Sequence, residues 1–151
     1  YHYFKSKDEL VIQVTSSVDA QYSVLEESYL ADEANSWHDK LLDFVGQALV
    51  ISANDPSLYR SFIHGIKYPE QAILRDNEKR VYFRVLRELV DGCREEGSVY
   101  HSRDREELVA ELVALHRGML LEWRIYEGAF DLPRRGRRMA AALLAGWKQA
   151  E

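Results

Sequence analysis

The histidine, acidic and nucleophilic residues of this 151-residue chain show no pattern that supports catalysis or metal binding. None of the five histidines has another histidine three or four positions away, the spacing of a helical zinc motif. His38, His64 and His116 lack an acidic residue three positions earlier, which a di-iron site in a helical bundle needs. There is no glycine-rich phosphate loop and no Gly-x-Ser-x-Gly motif. We expect no enzymatic activity, no metal site and no cofactor.

Large aromatic residues on the inward faces of several predicted helices are the strongest sign of a binding site. Pockets are lined by the same residue types that fill cores, so a ligand pocket and a filled core both stay open. His116 lies beside this set and can hydrogen-bond either a ligand or a buried neighbour. The candidate ligand-binding residues are Tyr22, Phe44, Tyr59, Phe62, Tyr82, Leu86, His116, Met119, Trp123 and Tyr126.

A lone cysteine and a short run of arginines have plainer interpretations. Cys93 cannot form an internal disulfide, which favours a reducing, cytoplasmic location. We expect it to be an inert core thiol, because a redox sensor needs exposure and a lowered pKa. Arg134, Arg135, Arg137 and Arg138 are expected in a solvated turn rather than a nucleic-acid patch, since the net charge is −5.

The composition fits one globular domain with a single hydrophobic core. The chain is 46% hydrophobic and 30% charged, which excludes a disordered chain. Its longest apolar run, Met139–Trp147, is much shorter than the roughly 20 residues that span a bilayer. We expect no membrane association.

Apolar residues at steps of three and four predict the first two helices. The first begins at Lys7, behind a capping box formed by Ser6 and Glu9, and runs to about Tyr29. The second begins after Ser36 and carries an apolar stripe wide enough for burial on two sides.

Proline and glycine punctuation defines the middle of the chain. A third helix is predicted at Pro56–His64, with Gly65 as its C-terminal cap. A fourth is predicted at Pro69–Glu96, with a kink or a break at residues 75–77 and Gly97 as a left-handed stop.

Two apolar helices complete the chain. The fifth is predicted to begin at Asp104 and to carry core positions as far as Phe130. The sixth contains Met139–Trp147 and has almost no polar side, so a partner is expected to cover it. Strand patterns are absent, so the predicted class is all-α with about six helices.

The first ten residues resemble a segment known from one family of regulators. Tyr1, Tyr3, Phe4 and Lys7, with the Ser6 and Glu9 box, are similar to the place where the DNA-recognition helix of tetracycline-repressor (TetR) family proteins joins the next helix. A hydrophobic staple at the helix start is the alternative interpretation. Weaker similarity to the family's C-terminal half covers Cys93–Gly97, Gly118, Trp123, Phe130–Leu132 and Gly146.

This resemblance implies a domain layout and partners. Residues 1–5 would be the remnant of a helix-turn-helix head expected upstream, and residues 6–151 a helical ligand-binding and dimerisation domain. The implied function is a transcriptional repressor that leaves operator DNA when a hydrophobic or aromatic small molecule binds its interior pocket. Tyr1, Tyr3 and Lys7 would contact DNA phosphates.

A homodimer is expected from the resemblance to TetR family proteins and from the small or aliphatic face of the fifth helix. The last two helices of each subunit would form a four-helix bundle. The alternative is a helical dimeric adaptor with a filled core and no ligand, and a cavity of a few hundred Å³ would separate the two. The candidate interface residues are Ala114, Gly118, Leu121, Ile125, Ala140, Leu144 and Trp147.

The 151-residue chain alone is expected to bind DNA weakly and without sequence preference. Phosphate contacts orient a protein on DNA but do not read bases, and their affinity falls steeply with salt. Gel-shift titrations at low and physiological salt measure this. A salt-resistant, sequence-selective shift would contradict it.

Overall fold

The computed structural model describes residues 7–69 and 80–148, with side chains described from residue 17 in the first of these ranges. This part of the chain contains six α-helices and no strand, which confirms the all-α prediction. None of the helices in the described ranges is long and apolar enough to cross a lipid bilayer. The helices are α1 Lys7–Ala31, α2 Trp37–Asn54, α3 Pro56–Lys67, α4 Val81–Glu96, α5 Arg105–Ile125 and α6 Leu132–Lys148.

Short polar side chains begin the helices at the predicted places. The Ser36 side chain accepts a hydrogen bond from the backbone N–H of Asp39 at 3.1 Å. Asp55 caps α3 in the same way, and Asp104 caps α5. These side chains satisfy backbone donors that have no partner inside the helix. Gly97 ends α4 with a φ of 85°, which confirms the left-handed stop.

Two helix ends differ from the sequence prediction. Gly65 does not cap α3, which continues to Lys67 and is capped at Tyr68. Gly65 is buried, and its packing outweighs a helix-propensity cost of about 1 kcal/mol. The predicted helix Pro69–Glu96 is not continuous, because Arg80 has an extended backbone and α4 begins at Val81. The predicted kink or break at residues 75–77 lies outside the described residues.

Helix α5 is one turn shorter than predicted. It ends at Ile125 because the chain turns into left-handed conformations at Glu127 and Gly128, with φ values of 53° and 75°. The Gly128 N–H donates to the carbonyl of Trp123 at 2.8 Å, which closes this turn. Phe130 therefore lies in the loop before α6 and not on α5.

The core is built around α2, which contacts each of the other five helices. Leu41, Phe44 and Leu49 on this helix are at most 1% exposed. Glycines allow two of the contacts to be close: Gly136 of α6 faces Leu49, and Gly92 of α4 faces the Trp37 ring. The prediction that α2 is buried on more than one side is confirmed.

Charge pairs join helix α1 to α4 and to the residue before it. Arg84 donates to both carboxylate oxygens of Glu26, at 2.8 and 2.9 Å. Arg80 pairs with Asp19 at 3.4 Å. Burial and a hydrogen bond to Glu26 raise the pKa of Glu88 to about 7. The described part of the α1–α4 contact therefore combines charge pairs with the buried Tyr22–Tyr82 ring contact.

Replacement of Gly92 by alanine is expected to destabilise the fold by about 1–3 kcal/mol, because the added methyl group would overlap the Trp37 ring. Chemical denaturation monitored by circular dichroism measures the loss. Gly146→Ala is the matched control, since nothing lies within 4 Å of its added carbon. That control is expected to be neutral or to stabilise by up to about 1 kcal/mol. Equal midpoints for the two variants would contradict the close contact.

Candidate ligand cavity and exposed helix face

A small cavity lies where helices α1 to α5 converge. Its volume is about 60 Å³, which holds a few water molecules and is far below the roughly 300–1,000 Å³ of typical ligand pockets. The space that the described residues enclose between these five helices is therefore smaller than the few hundred Å³ expected of an open pocket. The cavity is lined by apolar Leu58, Phe62, Phe83, Val113 and Leu120 and by polar Tyr22, Ser52, Tyr59, Arg80, Tyr82, His116 and Arg117.

Three polar side chains from three different helices meet at the inner wall. His116 Nε2 lies 3.1 Å from the Ser52 hydroxyl, and Ser52 is also hydrogen-bonded to Tyr22. Burial lowers the pKa of His116 to about 4 and raises that of Tyr22 to about 12. Both groups are therefore uncharged near neutral pH. This Tyr22–Ser52–His116 chain of hydrogen bonds joins α1, α2 and α5.

Aromatic packing accounts for the small volume. Tyr82 contacts Tyr22 and Phe44 with ring centroids 5.4 and 5.7 Å apart, and it lies 5.4 Å from the His116 ring. Such tilted pairs are favourable beyond their buried area. Burial raises the pKa of Tyr82, so its hydroxyl stays protonated. The rings occupy space that a ligand would otherwise take.

The outer wall carries polar groups of a different kind. The Tyr59 hydroxyl is shielded from solvent and has no hydrogen-bond partner among the described residues, although the residue as a whole is partly exposed. Arg80 and Arg117 are also partly exposed and line the same cavity. Two cationic side chains and one unsatisfied hydroxyl thus line the cavity together with the uncharged polar groups of the inner wall.

Five of the ten candidate ligand-binding residues line the cavity, namely Tyr22, Tyr59, Phe62, Tyr82 and His116. The other five do not. Phe44, Leu86 and Met119 are buried core residues, and Trp123 packs against the turn at Gly128. Tyr126 is 59% exposed, because α5 ends before it and its side chain leaves the inward stripe.

Sequence reasoning missed seven of the twelve lining residues: the apolar Leu58, Phe83, Val113 and Leu120 and the polar Ser52, Arg80 and Arg117. For Ser52 a signal existed: it follows Ala48 by four positions on the apolar stripe of α2, and a polar residue there must find a buried partner. The two arginines give no such signal, since each lies on a helix boundary or surface that favours charge anyway.

Four of the seven candidate interface residues lie on an exposed face of α5. Ala114 and Gly118 are exposed, nothing lies within 4 Å of a carbon added at Gly118, and Leu121 and Ile125 are 39% and 59% exposed. Met139 of α6 is also exposed, at 44%. We call these five residues the outer face.

The remaining three interface candidates, Ala140, Leu144 and Trp147, need correction. They are at most 2% exposed and pack inside the subunit, so no partner chain can contact them in this fold. α2 and α5 cover this side of α6, and the Trp147 indole N–H donates to the carboxylate of Glu111 on α5. The apolar length of α6 is thus explained within one subunit.

The other predictions from the sequence concern Cys93, a metal site and the contacts with DNA. Cys93 is fully buried, and burial raises its pKa to about 12, as expected of an inert thiol. Among the described residues, no group of three or more His, Cys, Asp or Glu side chains could hold a metal ion. Tyr1 and Tyr3 lie outside the described residues, and Lys7 begins α1 with its side chain outside them.

Comparison with protein-family models, with curated proteins and with solved structures finds no match. The resemblance to TetR regulators therefore depends on the quoted residues of the sequence and on the all-helical fold.

Proposed function

We propose that this chain is the regulatory domain of a ligand-responsive transcriptional regulator, a repressor of TetR type. The supporting observation is the Tyr22–Ser52–His116 chain, which ties α1 to the cavity wall. In a regulator of this layout α1 follows directly on the DNA-binding head. A molecule that enters the cavity therefore acts on the helix that carries the signal.

The proposed mechanism is a change in the position of α1. The effector is a hydrophobic or aromatic small molecule, and the small cavity requires side chains such as Tyr82 or Phe62 to move when it binds. Binding shifts the population only if the effector prefers the rearranged state to the DNA-binding state. Operator DNA is then released by the head.

The outer face supports a homodimer as part of this proposal. Its residues are small or aliphatic and lie on adjacent helices, so two copies can approach closely about a two-fold axis. The bundle of α5 and α6 from both subunits would keep the two heads at a fixed spacing. When a ligand binds, the change in the position of α1 would alter this distance between the two DNA-binding heads.

Gly118→Arg is expected to convert a dimer into a monomer without unfolding it. The arginine enters open space within one subunit but would place a charge in the proposed interface. Light scattering coupled to gel filtration gives the mass, and circular dichroism checks the fold. Val24→Arg is the control, because Val24 is 66% exposed on α1, away from the outer face. A dimeric Gly118→Arg variant would place the interface elsewhere.

The second candidate function is a helical dimeric adaptor with a filled core. The cavity volume of about 60 Å³ favours it, because the aromatic rings already occupy the space between the helices. In that case the outer face and other surfaces would act, and no small molecule would bind inside.

A thermal-shift screen of small hydrophobic and aromatic compounds separates the two candidates. A ligand at 100 times its dissociation constant stabilises the fold by about 2.7 kcal/mol, which is a shift of a few degrees. Leu120→Phe fills the cavity and is expected to abolish the shift, whereas Leu30→Phe, on the exposed side of α1, should keep it. If no compound stabilises the protein, or if both variants respond alike, the interior pocket is wrong and the adaptor is favoured.

A further inference from the structure

The charges around the cavity indicate what its ligand must carry. Arg80 and Arg117 both line the cavity, and no acidic side chain lies among its described lining residues. Asp19 pairs with Arg80 at 3.4 Å, from outside the lining. The charged groups among the described lining residues are therefore cationic, and the rest of the lining is uncharged and apolar or polar.

The charge of Arg117 extends into the buried part of the site. Burial lowers the pKa of His116, and the charge of Arg117 adds to that effect. Burial and Tyr22 raise the pKa of Tyr82, and the charge of Arg117 opposes that rise. Electrostatic interactions act strongly there because the surrounding side chains exclude water. The same field favours an anion in the cavity and disfavours a cation.

The Tyr59 hydroxyl supplies an independent observation. It is shielded from solvent without a partner among the described residues, and leaving such a donor unsatisfied costs about 1–3 kcal/mol. A ligand oxygen in the cavity would satisfy it. Arg117 has other interactions, but a guanidinium has five N–H donors and can serve a ligand as well.

We propose that the cavity binds a compact organic monocarboxylate, with its carboxylate toward Arg117 and Tyr59 and its apolar body against Phe62 and Leu120. This inference rests on the proposed interior pocket and adds the charge and size of the effector. A branched aliphatic or single-ring acid needs the smallest movement of Tyr82 or Phe62 to fit, whereas sugars and phosphate esters do not match the apolar part of the wall.

Matched acid and amide probes test the charge directly. Isobutyrate and benzoate are compared with isobutyramide and benzamide, which have the same shape without the charge. Protein-observed NMR titration of the full 151-residue chain gives the dissociation constants. We expect each acid to bind at least about tenfold more tightly than its amide, the effect of one charge-assisted hydrogen bond.

Variants assign that preference to the proposed groups. Arg117→Gln should reduce the preference for the acid to less than about twofold, and Arg117→Lys should restore part of it. Tyr59→Phe should weaken acid binding by a few-fold. Arg138→Gln removes the same charge from an exposed position on α6 and should change nothing.

The possible failures are distinguishable. If the amides bind as tightly as the acids, or if Arg117→Gln behaves like Arg138→Gln, the carboxylate assignment is wrong while the interior pocket stands. If neither acids nor amides bind, this inference fails together with the ligand-responsive function. Chemical-shift changes confined to the outer face would also overturn the assignment to the cavity.

Discussion

The burial of α2 among all five other helices is the constraint on which the rest of the structure depends. A helix with neighbours on every side needs apolar or small residues around its circumference, and the sequence of α2 supplies them. Its neighbours approach closely because glycine stands at Gly136 opposite Leu49 and at Gly92 opposite Trp37. Interiors are packed like crystals, so these contacts also fix the positions of α4 and α6.

The candidate site follows from one polar residue on this buried helix. A serine surrounded by helices must find hydrogen-bond partners, because an unsatisfied buried hydroxyl costs about 1–3 kcal/mol. Ser52 finds them in Tyr22 of α1 and His116 of α5, two helices that are far apart in the sequence. The need to satisfy one hydroxyl thereby determines where the cavity wall is polar and which helices share it.

Local signals in the sequence predicted the helices well, and the site less well. The caps at Ser36, Asp55 and Gly97 involve neighbours within a few residues, so spacing alone identifies them. Helical periodicity shows which side of a helix is apolar, but not whether the same chain or a second copy covers it. For that reason Leu144 and Trp147 were assigned to a dimer interface although they are core residues.

The cavity residues show the same limit. Tyr22, Tyr82 and His116 were found because inward-facing aromatic residues are easily recognised. Trp123 and Tyr126 belong to the same stripe, yet they lie beside or beyond the end of α5, where a turn at Gly128 redirects the chain. The site depends on where a helix stops, and periodicity does not report this.

The attachment of α1 has a mechanical consequence. Among its described side chains only Val18, Tyr22 and Tyr29 are buried, while Val24 and Leu30 face solvent. Its contacts with α4 include the charge pairs of Glu26 with Arg84 and Asp19 with Arg80, and partly exposed pairs of this kind exchange partners with water at little cost. Helix α1 is therefore less deeply buried than α2. A tilt of α1 would stretch polar contacts that water can replace, whereas Val18 and Tyr22, which are buried in the core, limit how far the helix can move.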